Sequence, residues 1–463
     1  MKIRKVKYAN HPILGDLVLD FVNPKTNEPY STIVLAGENG TGKTTILETL
    51  NTFLSIGSFE PFQTFEYEVE NFIESEKHTY ILEPLNSGTS KNFFKRYDPI
   101  TKKYEEIISD KVYNTDNIQK DDKDPRFYGS VFSRPRADYK TNKITSVTTN
   151  ELDKNKYNSD NDENFTSLKQ LIVDVQNQDN NEYSKINKER GPNPMSFDEF
   201  KPKSKIHRFE SAFNGFFETI KYKGVDNANG AKEVFFEKNG KEIPLDALST
   251  GEKQIVFRGA YLLRNLNLLE NSTIMIDEPE LSMHPLWQKK ILKYYKDLFT
   301  TNSQQTAQLF FASHSEAVIS EALQDLDNTK VIVLKNVNGQ VVANCIDTPA
   351  VLPYTLAAEV NYQAFGLSST DYHNALYGYI EAEVWKKDFE AQHQNTITNY
   401  TYEKGAKKEI WKLTLTEKIR HIIHHPENKN NSYTQEELET SINFMRTFIQ
   451  GKKSPAITDS SDI

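Results

Sequence analysis

At 463 residues, 37% hydrophobic and 26% charged, the chain is long enough for two or three structural units and has the balance of a soluble protein. No apolar run approaches the roughly 18 residues that span a bilayer, and the opening MKIRKVKYANHPILG lacks a signal peptide's apolar stretch, so a cytoplasmic location without membrane contact is expected. The single cysteine, Cys345, excludes a disulfide framework and a zinc knuckle, while a formal net charge of -9 confines any DNA contact to a local patch.

In chain order, IRKVKY (3–8) and LVLDF (17–21) are short alternating strands, and TIVLAG (32–37) is a buried-type strand that feeds a Gly-rich turn. TTILETLNTFL (44–54) carries apolar residues at helical spacing. From about 100 to 210 the chain turns polar, and the Asn/Asp-rich run ELDKNKYNSDNDEN (151–164) reads as a surface insertion. Within that region SVFSRPRAD (130–138) predicts a strand and SLKQLIVDVQNQ (167–178) an amphipathic helix, with no heptads sustained enough for a coiled coil. EVFFEKNGKEIPL (233–245) predicts a hairpin at Asn239-Gly240, and KVIVLKNVNGQVV (330–342) a second at Asn338-Gly339. Between them STIMIDEP (272–279) and QLFFASHS (308–315) are buried-type strands joined by a helical stretch, the signature of a parallel sheet. The expected organisation is an α/β domain over 1–350, a mainly helical domain over 351–450 and a polar tail over 451–463.

The segment Gly37, Glu38, Asn39, Gly40, Thr41, Gly42, Lys43, Thr44 fits G-x-x-x-x-G-K-[ST] in full, between a strand and a helix. Glycines let backbone N–H groups converge on a β-phosphate, Lys43 neutralises the β and γ oxygens, and Thr44 offers its hydroxyl to Mg²⁺. Thr45, next on the helix, is counted with the nucleotide contacts. The bland alternative is an ordinary Gly-rich turn. Asp277 and Glu278 end a hydrophobic strand, which suits a division of labour between Mg²⁺ binding by Asp277 and activation of the attacking water by Glu278. Standing alone, such a pair is as often a solvated loop.

LSTGEKQ (248–254) opens the helix ahead of the Asp277 strand, so Ser249 and Gly251 lie where a helix N-terminus attracts an anion. Since Gly37 to Thr44 already hold the chain's own phosphates, this second site is read as serving a nucleotide on another subunit, in a head-to-tail homodimer around two ATP molecules. Ser249 and Glu252 also spell a capping box, and Glu252 is counted both ways. His314, at the end of the next strand, is placed to bond the γ-phosphate, and ELSMHP (280–285) to lie near the dimer seam.

In this order the motifs resemble the ATP-binding-cassette (ABC) superfamily, specifically its RecF, SMC and OLD-like branch. The likeness covers about residues 1 to 345 and rests on LSTGEKQ, on DEPE followed by LSMHP, and on the strand pair ahead of the phosphate loop. It implies an α/β ATPase head with a mixed sheet and a helical lobe, using ATP and Mg²⁺. No glutamine loop is placed. SLKQLIVDVQ, AAEVNYQAFGLSSTDYHNALYGY (357–379) and IRHIIHHPEN (419–428) resemble the ATPase subunits of Septu and retron-linked antiphage systems, the PtuA family. That likeness implies a bacterial defence role, a higher oligomer, and a separate HNH nuclease of the PtuB kind that cuts. The AriA ATPases of PARIS systems are similar in the same way.

In the C-terminal part, Arg420 and His425 satisfy the R-x4-6-H pattern of HEPN ribonucleases. Ile419, Ile422 and Ile423 form the apolar face of their helix and Pro426 stops it, so a helix-end or partner-contact role is the leading expectation. A ribonuclease is second, and a metal site at His421, His424 and His425 third. A toxin whose ATPase controls a C-terminal ribonuclease, and a RecF-like DNA repair ATPase, are the alternative functions.

Overall fold

The computed structural model describes residues 1–70, 77–85, 91–111, 114–136, 139–159, 165–346, 350–404 and 407–453. The last two residues of the strand expected over 130–138, the end of the Asn/Asp run and most of the polar tail lie outside them. The chain divides into two compact units, Met1–Asn344 and Cys345–Ile463.

The first unit is organised by a seven-stranded sheet in the order Gln340–Cys345, Thr329–Val337, Thr32–Ala36, Gln308–Ser313, Thr273–Asp277, Ser130–Ser133, Tyr157–Ser159. Strands Thr32–Ala36, Thr273–Asp277 and Gln308–Ser313 are buried at every residue, which is why their sequences run apolar without alternation. They pair in parallel, with Asp277 opposite Ala312 and Ser313 opposite Ala36. That register brings the residues after Ala36, Asp277 and Ser313 to one edge, the carboxyl edge where α/β sheets bind ligands.

Helix Lys43–Leu54 buries Ile46, Leu47, Leu50, Phe53 and Leu54. Its Phe53 centres a cluster with Phe59, Phe62, Phe65 and Phe94, at ring-centroid distances of 5.0 to 5.8 Å. Phe62, Phe65 and Phe94 come from a six-stranded antiparallel sheet, Val18–Asp20, Lys2–Tyr8, Phe62–Glu70, Lys77–Pro84, Phe94–Asp98, Lys103–Ile107. Only its first two strands are anticipated above. FQTFEYEVE alternates from Phe65 onward, with Phe65, Tyr67 and Val69 buried, and a register irregularity opposite Lys7 and Tyr8 brings Phe62 inward as well.

The polar region is more deeply built in than a surface insertion. Tyr157–Ser159 is an edge strand of the main sheet, and Tyr139 stacks at 5.6 Å on Phe257 with Phe165 against both. Helix Thr166–Arg190 buries Lys169, which pairs with Glu233 and Asp246. A charged residue reads as surface in sequence; here its partners arrive from more than sixty positions away. The hairpin Ala231–Lys238 and Lys241–Pro244 turns at Asn239-Gly240 as expected, with positive φ at both residues.

The second unit contains helices Ala357–Phe365, Thr370–Ala382, Lys386–Gln392, Leu415–His424 and Gln435–Lys453 around Tyr372, Leu376, Ile380, Phe389, Ile419, Ile442, Met445 and Ile449. It also holds a hairpin, Thr398–Lys404 and Lys407–Leu413, which the sequence reading passes over. Among the described residues no helix is long and apolar enough to cross a membrane.

Candidate functional site

Strand Thr32–Ala36 delivers the chain into the loop Gly37–Gly42, and the helix Lys43–Leu54 begins at once on the left-handed Gly42, φ 85°. Gly37 backs onto the neighbouring strand: a Cβ there would lie 2.4 Å from the Leu334 carbonyl oxygen, so only glycine fits. Glu38, Asn39 and Gly40 are exposed at the crest. Thr41 is buried and its hydroxyl donates to the Glu38 carbonyl at 2.8 Å. Lys43 folds back under the crest, its Nζ donating to the Gly37 and Glu38 carbonyls at 2.7 and 2.8 Å. Burial lowers its ammonium pKa, against the carboxylates of Asp277, Glu278, Glu280 and Glu38, which raise it. Thr45 follows half-buried in the first turn.

Thr44 donates its hydroxyl to Asp277 Oδ2 at 2.8 Å, so the loop and the strand end meet. Burial raises the Asp277 pKa, opposed first by the Thr44 hydrogen bond. The other oxygen, Oδ1, is buried without a hydrogen-bond partner. A hydroxyl and an unsatisfied carboxylate oxygen form a hard, all-oxygen donor set that suits Mg²⁺. Glu278 follows with φ 43°, a left-handed conformation rare outside glycine, and its N–H donates to the Ala312 carbonyl at 2.9 Å. His314 Nδ1 stands 3.5 Å from Glu278 Oε1 and 3.7 Å from Glu280 Oε1. Asp277, Glu278, His314, Lys43 and Thr44 are thus gathered at one edge of the sheet.

Helix Thr250–Leu263 begins with a complete capping box: Ser249 Oγ accepts from Glu252 N, and Glu252 Oε2 accepts from Ser249 N at 2.8 Å. Glu252, counted above with the nucleotide contacts, is turned inward. Its other oxygen pairs with Lys238 at 2.6 Å, and those bonds hold its pKa low against burial. Its carboxylate belongs to the cap and not to an anion site. Ser249 and Thr250 are exposed at the helix start. Gly251 is buried against its own chain: a Cβ would fall 2.5 Å from the Ser282 carbonyl oxygen.

Two residues here are absent from the sequence-derived set. Arg258, 2% exposed, donates to the carbonyls of Asp277, Glu278 and Ser133 and to the Ser133 hydroxyl. Glu280, 4% exposed, accepts from Ser313 Oγ at 2.8 Å and from His314 N at 3.1 Å, and so fixes the turn carrying the histidine. The signal for Arg258 is a lone charge within the apolar run QIVFRGAYLL; a charge that cannot reach water must be answered inside.

A profile of the family described as "AAA domain, putative AbiEii toxin, Type IV TA system" matches residues 33–320, more than half of the chain. The chain belongs to this family. Its first unit is therefore an ATPase domain of the AAA/ABC type, an α/β phosphate-loop fold, and the second unit that follows it is mainly helical. Among solved structures it is similar to an SMC head bound to the C-winged helix domain of ScpA, at TM-score 0.41 and 12% identity over 75% of this chain and 98% of that one. It is also similar to the SMC head domain from Thermotoga maritima, at TM-score 0.36 and 15% identity over 75% of this chain and 99% of that one. No curated protein matches the chain.

Outside this AAA/ABC domain, the second unit does not bring the Arg420 and His425 side chains to a shared partner. Arg420 donates to Asn374 Oδ1 at 2.7 Å and lies over the Tyr377 ring, whereas His425 Nδ1 faces Glu427 Oε1 at 3.0 Å. His421 packs among Tyr400, Trp411 and His425. Among the described residues no three His, Cys, Asp or Glu side chains form a metal-holding group, so the metal reading of His421, His424 and His425 falls. Nearby His373 is fully buried beside Ser441, and burial pushes its pKa down to about 3.

Proposed function

We propose that the chain is the ATP-binding and ATP-hydrolysing regulatory subunit of a bacterial antiphage defence complex, closing as head-to-tail pairs and controlling a separate nuclease of the HNH type. The reading rests on one observation above all. Thr44 and Asp277, 233 positions apart, are joined at 2.8 Å, with Glu278 and His314 beside them at the same sheet edge. Thr44 and Asp277 would hold Mg²⁺, which supplies neutralisation of the phosphate charge when bound. Lys43 would bind the β and γ oxygens, Glu278 take the proton of the attacking water, and His314 bond the γ-phosphate from the adjacent strand end. The exposed Ser249 at a helix start would receive the partner subunit's nucleotide. The family's printed description as a putative toxin of a toxin–antitoxin system supports a place in defence. DNA is a further expected ligand of the assembly.

The test is nucleotide-dependent closure. Glu278→Gln keeps the shape of the side chain and leaves Asp277 in place, so it should accumulate a dimer with ATP in sedimentation, and Ser249→Arg should stay monomeric under the same conditions. Equal behaviour of the two variants would remove the role of the signature across subunits.

A further inference from the structure

Gly251, Gln254 and Arg258 are spaced i, i+3, i+7 along helix Thr250–Leu263 and so share one face. Each meets the backbone of the loop after Asp277. Gly251 abuts the Ser282 carbonyl, Gln254 Nε2 donates to the Pro279 carbonyl at 3.4 Å, and Arg258 Nη1 and Nη2 donate to the Glu278 and Asp277 carbonyls at 2.9 and 2.6 Å. Arg258 extends the lacing to the next strand through the Ser133 carbonyl and hydroxyl, both at 3.0 Å. None of these four bonds goes to a carboxylate. A buried cation whose hydrogen bonds all go to backbone and hydroxyl oxygens, with the Asp277 carboxylate reached only through space, is a costly choice if its purpose is stability, since an apolar side chain would pack as well.

What those bonds hold is the peptide of Glu278. Its left-handed backbone, φ 43°, persists only where the surroundings over-determine it. The N–H side is fixed by Ala312 and the carbonyl side by Arg258. We propose that Arg258 is the positioning residue for the water-activating Glu278, aiming its carboxylate by clamping the carbonyls on either side of the Asp277–Glu278 bond and tying them to the signature helix. This rests on the ATPase reading above and deepens it. A lysine at 258 keeps the charge but has a single nitrogen and cannot span the same acceptors.

The experiment measures ATP affinity by equilibrium titration and single-turnover hydrolysis for wild type, Arg258→Lys, Glu278→Gln and the double variant. Arg258→Lys should bind ATP within about threefold of wild type and hydrolyse it about 100-fold more slowly, the scale of a misaligned general base. Added to Glu278→Gln it should cost nothing more, because two residues that act as one unit do not multiply. Ser133→Ala removes one acceptor of Arg258 and serves where Arg258→Lys does not fold; it should slow hydrolysis about tenfold at unchanged ATP affinity, one shared contact out of several. Hydrolysis by Arg258→Lys or Ser133→Ala at the wild-type rate, or losses that multiply in the double variant, overturns the inference alone. A wild-type chain that binds no ATP overturns the ATPase reading and the inference with it.

Discussion

Two polar clusters, one at the carboxyl edge of the seven-stranded sheet and one at the end of helix Leu415–His424, are assembled in different ways. In the first, side chains from two strand ends and one helix start are delivered to a single place by parallel register, and backbone groups hold them there: Lys43 under the loop carbonyls, Glu278 on Ala312, Glu280 under His314. In the second, Arg420 and His425 lie five positions apart on one helix turn and its cap, about 140° apart around the axis. Arg420 is drawn to Asn374 and Tyr377, and His425 to Glu427. His425 itself leaves helical geometry at φ -127°, as a residue before proline does. A short pattern in a loop dictates where its groups go; the same length of pattern on a helix end dictates only which ones diverge.

The comparison is sharpest at Lys43. Among the described residues it is the cation held by the Gly37–Gly42 loop carbonyls, and truncating a buried partner of a charged group costs about 3 kcal/mol or more, over 100-fold in affinity. Lys43→Ala should therefore abolish ATP binding in equilibrium titration with a fluorescent ATP analogue at physiological salt. Retained tight binding would show that the loop gathers its groups for something other than phosphate.

Gly251→Ala probes the same edge by bulk. The added Cβ meets backbone, the Ser282 carbonyl, and not the yielding end of a side chain, so overpacking of about 2 kcal/mol is expected. Ser249→Ala removes the cap at a cost of about 1 kcal/mol. Both should lower the midpoint of thermal or urea unfolding of the nucleotide-free monomer, Gly251→Ala more. If Gly251→Ala leaves the free monomer as stable as wild type and harms only the ATP-bound dimer, the glycine serves the subunit interface alone and the lacing to Ser282 is incidental.

Much of the sheet edge proposed to bind the nucleotide was legible because its signals are local: a loop with obligatory glycines, a strand ending in two acids, a helix opening on Ser-x-x-Glu. The strands carrying them were legible too, since burial on both faces writes continuous apolar runs such as QLFFAS. Harder to read were contacts whose partners lie far along the chain. Arg258 joins Ser133 to Asp277 and Glu278, and nothing beside it in sequence names those carbonyls. Strand Tyr157–Ser159 sits in a polar stretch because it is a short edge strand with little apolar surface to bury. Glu252 had two available roles, and its bond from Ser249 N together with Lys238 on the preceding hairpin decides between them.

The smallest expected effect on the proposed nucleotide edge comes from the second cluster, and it separates a scaffold from a ribonuclease. A ribonuclease that uses Arg420 and His425 needs both side chains at one phosphate, and removing either would cost two or more orders of magnitude, roughly, in cleavage. Their partners instead serve the unit's own packing: Arg420 ties its helix to Thr370–Ala382 through Asn374 and Tyr377. Arg420→Ala with His425→Ala should lower the stability of the C-terminal unit by about 1 kcal/mol, the worth of one hydrogen bond and one ring contact. ATP affinity should stay within twofold of wild type. The purified wild-type chain, incubated with total RNA and with tRNA, should leave both intact with or without ATP, and so should the double variant. Cleavage by the wild type that vanishes in a normally folded double variant would mean that the two side chains swing together on binding RNA, and would make the ATPase-controlled ribonuclease the primary reading.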